Sequence, residues 1–349
     1  MAVHRAVRLH GKQDLRLETV PVPEPDENYV LLEMSTVGLC RTDVHLFDEG
    51  QLDHIVIKEP ITLGHETSGT VSKLGPGVTS LAVGDRVAVD PCRTCVTCRY
   101  CRGGRGNLCE NMREAGVMQV DGGFATFMTA PADRCYRLPE NVSLEEGALI
   151  EPLSVAVYGV KRARMVPGDA VVVFGAGPIG LFTMQSAKAY GAGRVLMVDI
   201  NETRLVLASK LGADVTLKPR SPMSDPQALG EELKSALGGA ADVCFECSGG
   251  KGTVDAAIHT CRPGGKVLML GFGEMAMHVH LGMAAFREID VLGAFASIGS
   301  FPECVELVSS GKVDVKSVIS HRLPLDKVKV GMDLIRRGES IKVVINCQA

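Results

Sequence analysis

A cysteine, a histidine and a carboxylate make a ligand set for zinc. This chain carries Cys40 and, further along, the adjacent pair His65-Glu66, set between Gly64 and Gly69 at a strand entrance. Zinc takes thiolate sulfur, imidazole nitrogen and carboxylate oxygen, and three protein ligands leave a position open for water or substrate. Cys40 alone reads as core packing; the histidine–glutamate pair, whose side chains can both turn toward one cation, makes it a ligand. Five more cysteines, Cys92, Cys95, Cys98, Cys101 and Cys109, crowd into one loop.

A second chemistry lies in Gly175-Ala176-Gly177-Pro178-Ile179-Gly180. It follows the apolar run Val171–Phe174, which reads as a buried parallel strand, and precedes a helical stretch from Leu181 to Tyr190. Gly191 to Gly193 breaks that helix, and a second strand, Arg194 to Val198, ends on Asp199. The first glycine permits a tight turn, the second admits a pyrophosphate to the backbone amides, and the third lets helix and strand pack closely. Strand, glycine loop, helix, strand and terminal acid in this order predict a nicotinamide dinucleotide site. Asp199 can accept hydrogen bonds from a free ribose hydroxyl and repels a 2′-phosphate, which favours NAD over NADP. Arg204 can instead welcome a phosphate, stack on the adenine or stand as a solvated helix charge.

The run GHExxGxxxxxGxxV from Gly64 to Val78, with Cys40-x-Thr42-Asp43 before it and Gly84-Asp85-Arg86-Val87 after, resembles the zinc-dependent medium-chain dehydrogenases/reductases. Glu151-Pro152-Leu153-Ser154 narrows the likeness to the sorbitol (polyol) dehydrogenase and ketose reductase branch, across essentially the whole chain. The resemblance implies NAD- and zinc-dependent oxidation of a secondary alcohol, with a polyol such as sorbitol or xylitol as substrate. It further implies a catalytic zinc on Cys40, His65 and Glu66, with Glu151 a ligand through water or close by. Thr42 takes the substrate proton, and a relay through ribose and His45 carries it to solvent. A structural zinc sits on Cys95, Cys98, Cys101 and Cys109, four thiolates that close the shell; Cys92 is a spare thiol or an alternative ligand. Arg41 stands where the polyol branch has glycine; in related alcohol dehydrogenases an arginine there contacts the cofactor pyrophosphate. Leu270 and Phe295 join Arg41, Gly175, Gly177, Pro178, Ile179, Gly180, Asp199 and Arg204 as implied cofactor contacts.

The substrate wall departs from the family. Leu46 and Phe47 follow where a tyrosine is expected, and Ala296-Ser297 replace an arginine–tyrosine pair. Glu114 and Val117 replace apolar and threonine positions. Loss of hydrogen-bonding partners weakens recognition of a long polyhydroxylated chain. Diol, threonine or other secondary-alcohol dehydrogenation are the alternatives within the class, and a non-catalytic dinucleotide sensor the alternative outside it. An open metal set is superfluous in a sensor.

The elements that must position these residues read as an α/β protein with a GroES-like β-rich catalytic domain and a doubly wound Rossmann domain. Residues 1 to about 35 alternate apolar and polar positions between proline turns, which is antiparallel β material. Asp121–Phe124 reads as a turn before a strand, facing the cleft, and Ser143 as the N-cap of a helix from Leu144, with Glu146 completing the box. Further strands read at 215–217, 242–245, 266–270 and 289–292, and helices at 201–211 and 252–261, with a polar surface loop over 219–226. The tail supplies a helix at 305–310, a turn at His321–Pro324 and a last strand at 342–346. The expected division is a catalytic domain of 1–152 and 294–349, with the zinc lobe near 90–110, and a Rossmann domain of 153–293 inserted into it.

With 349 residues, the chain buries ample core for two domains. A net charge of −4 argues against a nucleic-acid or anionic-membrane partner. The start of the chain shows no signal peptide, and no stretch reads as a bilayer span. Twelve cysteines without a secretory signal point to metal binding in a reducing, cytoplasmic setting. The resemblance implies a homodimer or homotetramer acting on a small alcohol.

Overall fold

The computed structural model describes residues 2–349, apart from 53–54, 222–223, 272 and 274–275. It divides into two compact units: Met1–Glu151 with Phe301–Ser309 and Val315–Ala349, and Pro152–Ser300 with Ser310–Asp314.

In the first unit the eleven-residue strand Tyr29–Leu39 is the centre of the largest sheet. It is buried almost continuously because it pairs antiparallel with Glu66–Leu74, Phe127–Pro131 and Lys342–Asn346. Leu32, Met34, Leu39, Leu63 and Phe124 fill the core against it, none more than 1% exposed. The smaller sheet pairs Val3–Gly11 with Asp14–Pro21 and Ile61–Thr62, as the early alternation predicts. The Ser143 capping box forms: its hydroxyl accepts the Glu146 amide at 3.3 Å, and Glu146 accepts the Ser143 amide at 2.8 Å.

The second unit contains, among the described residues, a six-stranded parallel sheet. Its spatial order is Val215–Leu217, Arg194–Val198, Ala170–Phe174, Ala241–Glu246, Cys261–Met269, Asp290–Gly293. The order reverses between Ala170–Phe174 and Ala241–Glu246, and the glycine loop leaves the sheet at that switch point, where ligands of doubly wound sheets bind.

Two expectations change. The helix after the glycine loop begins at Pro178 rather than Leu181, because proline without an amide fits the first helical position behind an N-cap Gly177. His321–Pro324 is not a turn: Ile319–Pro324 is a strand parallel to Lys342–Asn346, with the proline tolerated as its last residue. Phe124, which follows the turn, is fully buried beneath Gly64, where an added Cβ would lie 2.9 Å from its ring. The polar loop read over 219–226 includes residues 222–223, which lie outside the described residues. Its end, Asp225-Pro226, caps a helix Pro226–Leu237.

Candidate functional site

Strand Tyr29–Leu39 ends at Cys40, which N-caps the helix Arg41–Glu49 in an extended conformation, its sulfur accepting the Thr42 amide at 3.5 Å. Glu66 opens the neighbouring strand opposite Gly38, and His65 precedes it. The pairing brings the donor atoms of Cys40, His65 and Glu66 within 4.8 Å of one another. Only glycine fits at position 38, because a Cβ there would stand 1.9 Å from Glu66 Oε2. One sulfur, one imidazole nitrogen and one carboxylate oxygen at this spacing fit a zinc ion.

Two residues that sequence reasoning did not single out hold this set. Asp43, fully buried, accepts the Cys40 amide through Oδ2 at 2.9 Å and the Gly64 amide through Oδ1 at 3.2 Å. Its Oδ1 lies 3.5 Å from His65 Nδ1, the arrangement that orients a metal-bound imidazole. Burial disfavours a charged His65, but the Asp43 carboxylate and the Cys40 thiolate outweigh it and raise the imidazole well above its usual value. Lys342 reaches in from the last strand, its Nζ 2.6 Å from Glu66 Oε1, 2.5 Å from Oε2 and 3.1 Å from the Leu39 carbonyl. Burial lowers the lysine's proton affinity; Glu66 and Cys40 more than restore it, so the ammonium stays charged. The readable signals were the Cys-x-x-Asp capping box at 40–43 and a lone lysine opening the apolar run Val343-Val344-Ile345.

Glu151 stands at the start of the helix Ile150–Arg162, and its carboxylate is not part of the 4.8 Å set. Burial pushes its carboxyl up to about 8; His65 and Lys342 oppose that shift while Glu66 and Glu114 add to it. On the helix after Cys40, Arg41 and His45 are exposed and Thr42 half-buried. Leu46 and Phe47 are not wall residues but core, 0% and 4% exposed, with Lys329 and Arg336 over the Phe47 ring.

The sulfurs of Cys95, Cys98, Cys101 and Cys109 form a second cluster within 4.8 Å, a donor set that fits a closed tetrahedral zinc site. Amides of Cys95 and Asn111 point at Cys109 Sγ at 3.3 and 3.4 Å, and that of Cys98 at Cys95 Sγ at 3.3 Å. Bonds from the Thr97 side chain and from the Cys98 and Thr97 amides lower Cys95 to about 5, favouring the thiolate that binds metal. Cys92 lies outside this cluster, buried, its thiol pushed up by burial. None of the twelve cysteines is in a disulfide.

In the second unit each glycine of the fingerprint has a separate duty. Gly175 has φ +94, a Cβ on Gly180 would meet the Gly175 carbonyl oxygen at 1.7 Å, and Gly177 faces open space. No side chain caps the Pro178–Ala189 helix, which leaves its first amides for a pyrophosphate. Asp199 Oδ2 accepts the Ala176 amide at 2.6 Å and Oδ1 the Asn201 amide at 2.7 Å, so the carboxylate is fixed beside the loop. This cradle fits a dinucleotide with a free ribose hydroxyl. Ile179 is half-buried, and Arg204 lies in the first turn of the next helix, its amide bonded to Asn201. Leu270 donates its amide to the Glu246 carbonyl at 2.8 Å and Phe295 is 44% exposed. Ser297 is buried, its hydroxyl taken by Ser154 at 2.7 Å, beside Ala296 at φ +49.

Residues 26–140 match the alcohol dehydrogenase GroES-like domain, and residues 178–310 the zinc-binding dehydrogenase domain. A sorbitol dehydrogenase of Arabidopsis thaliana is 41% identical over 98% of this chain and 94% of its own length. One of Gallus gallus is 40% identical over 98% and 96%. The crystal structure of 2R,3R-butanediol dehydrogenase from Bacillus subtilis matches with a TM-score of 0.88 at 28% identity, over 98% of this chain and 99% of that one. With its two thiolate-bearing donor sets and its dinucleotide fingerprint, the chain belongs to the zinc-dependent medium-chain dehydrogenases/reductases, in their sorbitol dehydrogenase branch.

Proposed function

We propose that this protein is an NAD- and zinc-dependent polyol dehydrogenase that oxidises a secondary carbinol, as in sorbitol or xylitol, to the ketose. The observation that carries the reading is the convergence of Cys40, His65 and Glu66 in a chain that also holds a complete dinucleotide cradle. Zinc held there would supply Lewis acidity toward the alcohol oxygen, and NAD held on the Gly175–Gly180 loop would supply the hydride acceptor. Cys40, His65 and Glu66 are the direct ligands, with Glu151 beside them; Asp43 fixes His65, and Lys342 limits the negative charge on Glu66. Thr42 accepts the substrate proton and His45 passes it to solvent. Arg41 binds the cofactor phosphates, as do the amides from Gly175 to Gly180; Asp199 takes the ribose, while Arg204, Leu270 and Phe295 border it. Cys95, Cys98, Cys101 and Cys109 hold the structural zinc.

A diol or other short secondary alcohol is the second reading, favoured by Ala296 and by a Ser297 hydroxyl already engaged by Ser154. The proposed assembly is a homodimer or homotetramer, supported by the position of Asp290–Gly293 at a sheet edge among the described residues and by Phe286, 91% exposed. A cytoplasmic setting is supported by cysteines that form no disulfide. Among the described residues no helix is long and apolar enough to cross a membrane. The test is NADH formation by zinc-loaded protein on sorbitol, xylitol, 2,3-butanediol, threonine and 2-butanol. Turnover led by the polyols supports the first reading and turnover led by the diol the second. Silence with zinc and NAD bound removes both.

A further inference from the structure

Strand Arg113–Glu114 pairs antiparallel with Cys92–Arg93, and Glu114 lies directly opposite Cys92. Opposed residues share one face of a ribbon; Cys92 is buried and Arg113 exposed, so Glu114 is on the inward face. The turn that follows is pressed onto the metal-site segment, because a Cβ on Gly116 would lie 2.6 Å from the carbonyl oxygen of Gly64, the residue before His65. The Glu114 carbonyl accepts the amides of Val117 and Met118 at 3.2 and 2.8 Å, which fixes the backbone.

The residue is half-buried, and its carboxyl is pushed up by enclosure; His65 opposes that shift, while Asp90 and Asp43 reinforce it. Its charge also acts on Glu151 and Cys92. Among the described residues no group donates a hydrogen bond to this carboxylate. A half-buried carboxylate with no protein donor is left to meet a donor from outside the chain, and its neighbours Ala115 and Val117 belong to the apolar core. Neither the metal set nor the proton relay uses it.

We propose that Glu114 is a specificity-determining acceptor: it takes a hydrogen bond from a donor that the substrate carries near its reacting carbinol, either a polyol hydroxyl or the ammonium of an amino alcohol. The inference rests on the dehydrogenase reading and names the chemistry its substrate must present. An isolated secondary alcohol leaves the carboxylate unpaired, whereas a vicinal diol satisfies it.

The experiment compares wild type, Glu114→Leu and Glu114→Gln, zinc-loaded, on 2,3-butanediol, 1-amino-2-propanol and 2-butanol. The leucine variant should lower the ratio of kcat/KM for diol over 2-butanol about tenfold or more, mainly through KM. Loss confined to the amino alcohol in Glu114→Gln identifies an ammonium as the natural donor; loss of the diol as well identifies a hydroxyl. A ratio unchanged within about twofold overturns the proposal. Diol affinity for the NADH-bound protein, read by nucleotide fluorescence, decides independently of turnover: weakening in Glu114→Leu supports the assignment, and equal affinity refutes it. If wild type turns over nothing yet shows that weakening, the dehydrogenase reading fails while the Glu114 assignment stands. Should Glu114→Leu fail to fold, Glu114→Gln and the wild-type preference for diol over 2-butanol carry the same decision.

Discussion

Replacing Lys342 by methionine removes a buried ammonium while keeping the length of the side chain. Lys342 and Glu66 are 3% and 1% exposed, and Nζ stands 2.6 Å from Oε1. At an effective dielectric of about 20, that separation corresponds to about 6 kcal/mol of attraction. Part of it offsets the desolvation of the two ions, so the loss on breaking the pair is about 3–5 kcal/mol, most of it the cost of leaving Glu66 charged and alone. The Leu39 carbonyl loses its donor as well. Urea unfolding of metal-stripped K342M should show this loss. Zinc loading should return part of it, because the cation replaces the missing positive charge. The double variant K342M/E66Q should recover most of it, since a neutral amide needs no counter-charge. Lys342 holds its proton more tightly folded than unfolded. As regards the lysine, its contribution is present below the usual lysine range and is lost as pH rises through the folded value, so the gap between wild type and K342M should close in strong alkali. A metal-stripped K342M within about 1 kcal/mol of wild type, or a double variant no better than the single one, refutes the reasoning.

Asp43→Asn removes the charge beside His65 and should weaken zinc affinity at the catalytic site about 10–100-fold by competition with a chromophoric chelator, with the cysteine cluster unaffected. Asp199→Ser loses the ribose acceptor and the bonds to Ala176 and Asn201. The ratio of kcat/KM for NAD over NADP should fall about tenfold or more, and an unmoved ratio contradicts the role. Arg41→Gly should weaken NADH binding several-fold in a fluorescence titration that flattens with salt; unchanged affinity removes Arg41 from the cofactor site. Cys101→Ser opens the four-thiolate cluster and should cut bound zinc by one equivalent and lower the melting temperature. Full metal content in that variant would mean the cluster is not a zinc site.

Legibility in the sequence followed the distance over which each constraint acts. The glycine fingerprint is a local requirement, a positive φ at Gly175 and a close approach at Gly180, and glycine alone meets both. The cysteine cluster is local too, its ligands lying within fifteen residues of chain from Cys95 to Cys109. Cys40, His65 and Glu66 were legible because ligand chemistry names residue types, although it took pairing of two strands to bring them together. Lys342 was not legible, since it meets Glu66 across 276 residues and only the sheet order makes them neighbours. The same physics misled the reading of Leu46 and Phe47: position after the Cys40 motif suggests a pocket wall, but the helix turns both into the core. His321–Pro324 reads locally as a turn because of its proline, while the parallel partner strand Lys342–Asn346 decides the conformation. Glu114 combines both lessons. Its residue type flagged a departure, but only its pairing with Cys92 and the seat of Gly116 on Gly64 turn that departure into an acceptor beside the metal site. Substrate choice in this fold is thus written in residues whose neighbours come from elsewhere in the chain, and a single altered wall position acquires meaning only from the strand opposite it.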